Sequence, residues 1–170
     1  IFGLCFSKSL TCFANNNFRQ WNYINMKKIY KEEDINIDIE TIFNLINDID
    51  SYPDYLPWCT KTEVIEKPDH SIIGKIFISK SFINWNFSTK NIIKKNESIS
   101  LELVDGPFES LNGKWSFSVI DEFNTRVSLE INYKFKSSLI ELSIEPIFTS
   151  IMNSILKSFI QEAFKSKYDN

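Results

Sequence analysis

Apolar and polar residues alternate with a period of two through the middle of the chain, and a helical period flanks that stretch on both sides. Lys27–Ile37 reads as a first strand of weak alternation, with Ile29, Lys31, Glu33 and Ile35 on one face. Asp38 suits an N-cap, because its side chain can accept from the free amides of a first helical turn. Ile39, Ile42, Phe43 and Ile46 then recur every three to four residues and predict an amphipathic helix to about Ile49. Pro53 and Pro57 break any longer helix. The aromatics between them predict a packed segment or a single short helical turn over Tyr52–Trp58.

Six strands follow from the period-two pattern: Thr60–Lys67, Ser71–Lys80, Asn84–Lys94, Ser98–Val104, Lys114–Ile120 and Arg126–Phe135. Ile72, Gly74, Ile76 and Ile78 share one face of the second, and Trp85, Phe87 and Thr89 one face of the third. Trp115, Phe117 and Val119 alternate inward, as do Val127, Leu129, Ile131, Tyr133 and Phe135. Asp105-Gly106-Pro107 starts a loop that runs to Asn112-Gly113. The polar outer faces predict an antiparallel meander covered on one side only. The cover is a C-terminal helix. Leu139, Ile140, Ile144, Ile147, Phe148, Ile151, Met152, Ile155, Phe159, Ala163 and Phe164 recur at helical spacing. Pro146 fits either a kink or the first turn of a second helix. The expected class is α+β, a curved antiparallel sheet wrapped around a long C-terminal helix. A pocket remains wherever side chains do not fill the space between them.

Composition narrows this picture. The 170 residues suit one domain, and no linker or repeat divides 27–168. With 43% hydrophobic and 15% aromatic residues, the chain is not disordered, collagen-like or a coiled coil. No run of about 18 apolar residues predicts a spanning helix. Four glycines argue against glycine-loop nucleotide folds. Ile, Asn and Lys make up 60 of 170 residues while Ala occurs twice, a bias of A/T-rich codons rather than of function.

Catalytic chemistry finds little to work with. Cys5, Cys12 and Cys59 include no CxxC pair and are odd in number, against a disulfide framework or thiolate zinc site. The single histidine, His70, falls in a turn, a poor place for a triad imidazole. Cys59 has no second histidine to activate it and reads as a small packed thiol. No acid/base constellation is visible, so no catalytic or metal-binding residue is expected and the chain is not read as an enzyme.

Charge is unevenly spread. Residues 1–31 hold five basic residues and no acid, whereas 32–170 carry a net charge of −8. The acid-free segment 1–26, bearing Ser, Phe and Asn, reads as an organelle transit peptide. The alternatives are a secretory signal, disfavoured by Lys8 within the apolar run, and a start at Met26. The acidic body disfavours DNA and any sequence-independent nucleic-acid binding, which needs Lys and Arg against phosphates.

Three stretches carry a resemblance. Ile42–Thr60, containing Asp50-Ser51-Tyr52-Pro53-Asp54-Tyr55-Leu56-Pro57-Trp58-Cys59, is similar to the first helix and signature loop of the coenzyme Q-binding START-domain family. Leu103–Phe117, with Asp105-Gly106-Pro107-Phe108 before Trp115-Ser116-Phe117, resembles that family's next loop and strand. Tyr133–Leu139 and the helix ending Ala163-Phe164-Lys165-Ser166-Lys167-Tyr168 resemble its C-terminal part. The family includes mitochondrial coenzyme Q-binding proteins and bacterial ribosome-association toxins.

The resemblance implies a helix-grip fold of the START/Bet v 1 type, with 27–168 as a lipid-binding domain. It implies non-catalytic binding of ubiquinone, or a similar isoprenoid lipid, in an apolar tunnel that supports respiration and ubiquinone synthesis. Ubiquinone would be ligand, not cofactor. The expected walls are Trp85, Phe87, Leu103, Trp115 and Phe117 on the sheet and Phe148, Met152, Ile155 and Phe159 on the helix. Gly106–Leu111, with Pro107 and Phe108, would be a lid, and Trp58 would close the other end. The expected location is then the matrix face of the inner mitochondrial membrane, with the aromatic loop Tyr52–Trp58 touching the bilayer. The alternative is a toxin of the bacterial cytoplasm that binds the large ribosomal subunit and blocks subunit joining.

Overall fold

The structure, a computed structural model, describes residues 26–168; segment 1–25 of the expected leader lies outside them. β1 (Lys27–Ile35) leads into α1 (Ile39–Asn47), a 3-10 turn (Ile49–Ser51) and the one-turn helix α2 (Tyr52–Tyr55). Six strands follow: β2 (Cys59–Glu66), β3 (Ser71–Lys80), β4 (Ile83–Lys94), β5 (Ser98–Asp105), β6 (Phe108–Val119) and β7 (Thr125–Phe135). The long helix α3 (Ser138–Tyr168) closes the chain. All seven strands form one antiparallel sheet in the order β1-β7-β6-β5-β4-β3-β2. Its inner face curves around α3, which is the expected helix grip.

Local chemistry explains the entry helix. Asp38 is extended, and its carboxylate accepts from the Thr41 amide at 2.9 Å and the Thr41 hydroxyl at 2.8 Å. Ile42, Phe43 and Ile46 are buried on the inner stripe of α1. The other end is capped by the loop that follows it. The last carbonyls of a helix lack intrahelical donors, and here the Tyr52 hydroxyl donates to the carbonyl of Ile46 and that of Tyr55 to Leu45. The tyrosines of the signature loop therefore fasten α2 under α1. Tyr52, Leu56 and Trp58 are buried. That overturns the expectation of an aromatic loop facing a membrane, because these side chains face the core.

β7 shows the cleanest alternation, with Thr125, Val127, Leu129, Ile131, Tyr133 and Phe135 all buried. β6 begins earlier than the sequence pattern suggests. Phe108–Gly113 is strand paired to Phe135–Ile131 of β7, not loop. Asn112-Gly113 resembles a turn in sequence, yet Gly113 serves close packing: a Cβ there would collide with Ile131 Cδ1 and the Glu130 carbonyl. The true corner is Gly106 at φ +147°, where a Cβ would lie 2.6 Å from Phe87 Cβ.

α3 runs unbroken through Pro146. Proline removes a donor to the carbonyl four residues back. That residue, Leu142, is 77% exposed, so water can replace the lost bond. Leu139 is also exposed, contrary to its expected place on the inner stripe. It lies on the side of the first turns opposite Ile144, away from the sheet. Lys27 of β1 bridges Glu141 and Glu145, tying the edge strand to the start of α3. β2, the other edge, is interrupted by irregularities between Cys59 and Lys61 and between Val64 and Glu66.

Candidate functional site

A cavity of about 70 Å³ lies between the inner face of the sheet and the middle of α3. β3 supplies Ile76 and Ile78, β5 Leu101, β6 Leu111 and Trp115, and β7 Leu129 and Ile131. α3 supplies Phe148, Met152, Ile155 and Phe159, while Ile49, Tyr52 and Trp58 close the side under α1. Gly74 helps to seat that side, since a Cβ there would press on Ile49 Cδ1 at 3.0 Å. β4 contributes Phe87, Thr89 and Asn91. No charged side chain is among the lining residues.

Of the twelve residues expected to contact a ligand, Trp58, Phe87, Trp115, Phe148, Met152, Ile155 and Phe159 line this space. Trp85, Leu103, Pro107, Phe108 and Phe117 do not. Phe108 is fully buried at the centre of a ring cluster rather than on a lid. Its ring centroid lies 4.9 Å from Phe135, 5.3 Å from Phe148 and 6.0 Å from Trp85. Pro107, half-buried, accepts at its carbonyl from the Lys136 amide at 3.0 Å, which pins the corner to the end of β7. Phe117 packs edge-on against Phe43 of α1 at 5.3 Å, at a distance from the cavity wall set by its place further along β6. Leu103 is half-buried against the core.

Asn91 and Leu111 are lining residues that pattern reading did not place inward. Asn91 shares parity with Trp85, Phe87 and Thr89, so extending their alternation by one step would have placed it inward. Asn91 and Thr89 are buried, at 8% and 5% exposure. The Thr89 hydroxyl donates to Asn91 Oδ1 at 2.8 Å. Tyr52 spends its hydroxyl on Ile46, and burial pushes its pKa well above the ordinary value. Cys59 is buried, and desolvation raises its thiol to about 11, which suits packing and not nucleophilic attack. His70 sits in an exposed turn at φ 60°. Among the described residues, no group of three His, Cys, Asp or Glu side chains gathers as metal ligands. The arrangement can surround apolar matter and offer it the Thr89–Asn91 pair and the indole N–H of Trp58, unpartnered among the described residues; no Asp, Glu, Lys, Arg or His is among the lining residues.

Comparison with known proteins agrees with this architecture. The chain is 33% identical over 138 residues to the ribosome association toxin RatA of Vibrio cholerae, covering 81% of this chain and 96% of that one. It is 24% identical over 130 residues to the mitochondrial coenzyme Q-binding protein coq10 of Schizosaccharomyces pombe, covering 72% and 77%. Among solved structures, the Zhui aromatase/cyclase of a Streptomyces species superposes with a TM-score of 0.76 at 12% identity, over 83% of this chain and 95% of that one. A START superfamily protein from Mycobacterium smegmatis gives 0.65 at 15%, over 84% and 97%. These structures share the fold, and the relatives matched by sequence are named as a toxin and a binding protein, not as enzymes. The model of the family described as polyketide cyclase / dehydrase and lipid transport matches residues 35–160. With the helix grip and the apolar cavity in place, the chain belongs to that family.

Proposed function

We propose that this protein is a ribosome-associating factor that binds the large subunit, as the alternative reading of its sequence holds. The observation that supports this best is the alignment with the Vibrio cholerae RatA toxin, which spans 96% of that relative. Such a protein acts in the bacterial cytoplasm. The acidic body, −8 over residues 32–170, argues for docking on ribosomal protein or through a local basic patch rather than along bare RNA phosphates. Sedimentation of the purified protein with isolated ribosomal subunits tests this. Recovery with the large subunit at low salt, and loss of subunit joining, is the expected result. Failure to pellet at low salt removes the reading.

A second reading is favoured by the cavity itself: carriage of a neutral apolar molecule, ubiquinone or another isoprenoid lipid. Its support is the uncharged lining and the coenzyme Q-binding relative. In a mitochondrial protein this would place it at the matrix face of the inner membrane. At about 70 Å³ the cavity is far below the ~300–1,000 Å³ of typical ligand pockets, so its walls have to give way for a prenyl tail to enter. Apolar burial, worth ~25 cal/mol per Å², supplies the driving force. Solvent extraction of purified, folded protein followed by mass spectrometry tests it: stoichiometric quinone is expected, and an empty extract removes it.

A further inference from the structure

We propose that Thr89 and Asn91 form a recognition point inside the cavity for a neutral, mainly apolar molecule that carries a carbonyl oxygen. This rests on the second reading above and names the chemistry that the cavity selects.

The argument starts from an expensive residue in an unlikely place. Asparagine is a poor strand former, yet Asn91 stands in the middle of β4, paired to Ile72 of β3 on one side and Leu101 of β5 on the other. Ile76, Ile78, Leu101 and Ile155 surround the same space with hydrocarbon. A leucine or valine there would pack without any polar demand. The carbonyl half of the Asn91 side chain is used, since it accepts from Thr89. That bond fixes the plane of the amide. The NH2 half donates to no described residue, although Asn91 is more than nine-tenths buried. Its nitrogen is not among the fully enclosed unpartnered atoms; it keeps accessible surface, and the space that Asn91 lines is the cavity, from which an acceptor can come.

The lining defines what that acceptor belongs to. No Lys, Arg or His reaches the cavity, so a carboxylate or phosphate would be desolvated without a countercharge. A hydrocarbon would leave the amide unpaired. A ketone or quinone carbonyl satisfies it, and its apolar remainder meets Phe87, Met152 and Ile155. Met152, unbranched and flexible, is suited to yielding space.

The test uses the full chain and three small probes of similar size: cyclopentanone, its methylene isostere methylenecyclopentane, and isobutyrate. Binding is followed by nuclear magnetic resonance on the side-chain amide of Asn91 and on the Met152 methyl. Cyclopentanone is expected to bind about fivefold more tightly than methylenecyclopentane, the difference one net hydrogen bond makes, and to shift the Asn91 NH2 signals. Isobutyrate is expected not to bind. In N91L the fivefold preference disappears while methylenecyclopentane binds at least as well as before. Equal affinities in the unmodified protein overturn the proposal and leave apolar carriage standing. If neither neutral probe binds, both the proposal and the carrier reading fall. The comparison within the unmodified protein needs no variant to fold.

Discussion

Two neighbouring parts of one core are filled differently. At the start of α3, Phe108 is ringed by Trp85, Phe87, Tyr133, Phe135 and Phe148 at centroid distances of 4.9 to 6.3 Å. The cluster is all aromatic rings, and the Trp85 indole N–H is buried within it without a partner among the described residues. Two turns further along α3, about 70 Å³ stays empty beside Met152 and Ile155. Aromatic side chains border this space too, but β3 and β5 meet it with the branched aliphatics Ile76, Ile78 and Leu101, and β4 has placed an amide among them. The difference teaches that hollowness here follows from side-chain size and one polar pair, not from any change of backbone architecture.

The contrast is broken most strongly by emptying the packed end. Phe108→Ala should destabilise the fold by about 3–5 kcal/mol, the range for a buried phenylalanine whose neighbours cannot collapse. Urea unfolding measures it, and a loss under 1 kcal/mol would mean that the cluster is not closely packed. Met152→Ala should cost less, about 2 kcal/mol, because its side chain already borders a void. If it costs as much as Phe108→Ala, the two regions are packed alike.

Filling the hollow end sharpens the comparison in the opposite direction. The double replacement Thr89→Val and Asn91→Leu removes donor and acceptor together and should stabilise by about 1 kcal/mol. A thermal melt reads this; a loss would show that the pair is satisfied in the native protein. The smallest effect belongs to a site outside both regions. Arg126 donates twice to the Asp34 carboxylate, at 2.7 and 2.8 Å, and holds its pKa below the ordinary 3.8. A depressed carboxylate stabilises above its unfolded pKa and loses that contribution as pH falls through the folded value. The pair is exposed, so Arg126→Gln should lower the urea midpoint only slightly at pH 7. The gap to the unmodified protein should close by about pH 2; a gap that persists there would assign the effect to packing.

Much of this was readable in advance where each residue answers to one demand. β7 alternates without exception because every second side chain meets the same core, so its limits followed from parity. α1 followed from Asp38 and the apolar triplet Ile42, Phe43 and Ile46. The start of β6 did not, because Gly106 and Gly113 look alike in sequence and do different things. The first turns the corner, and the second admits Ile131. The wall of the cavity was half legible. Aromatic residues drew attention, while Ile76, Ile78, Leu111 and Asn91 form as much of it. Which inward side chains touch one another and which face a gap depends on the helix laid across several strands, and no local pattern encodes that. The family resemblance located the fold and the signature loop, and the loop's tyrosines then proved to be caps for α1.

The open ends of the sheet have a bearing on how the protein behaves when crowded. Among the described residues, β1 and β2 each have a neighbour on one side only, and an unpaired strand is a template for another molecule's strand. β1 presents Lys28, Lys31, Glu32, Glu33 and Asp34 along its length, and β2 is broken by two register shifts. An incoming strand would therefore meet charge at one border and a kinked ladder at the other. A chain rich in isoleucine and phenylalanine stays disinclined to grow into fibrils through its own sheet, and prolonged storage at high concentration should leave it in solution.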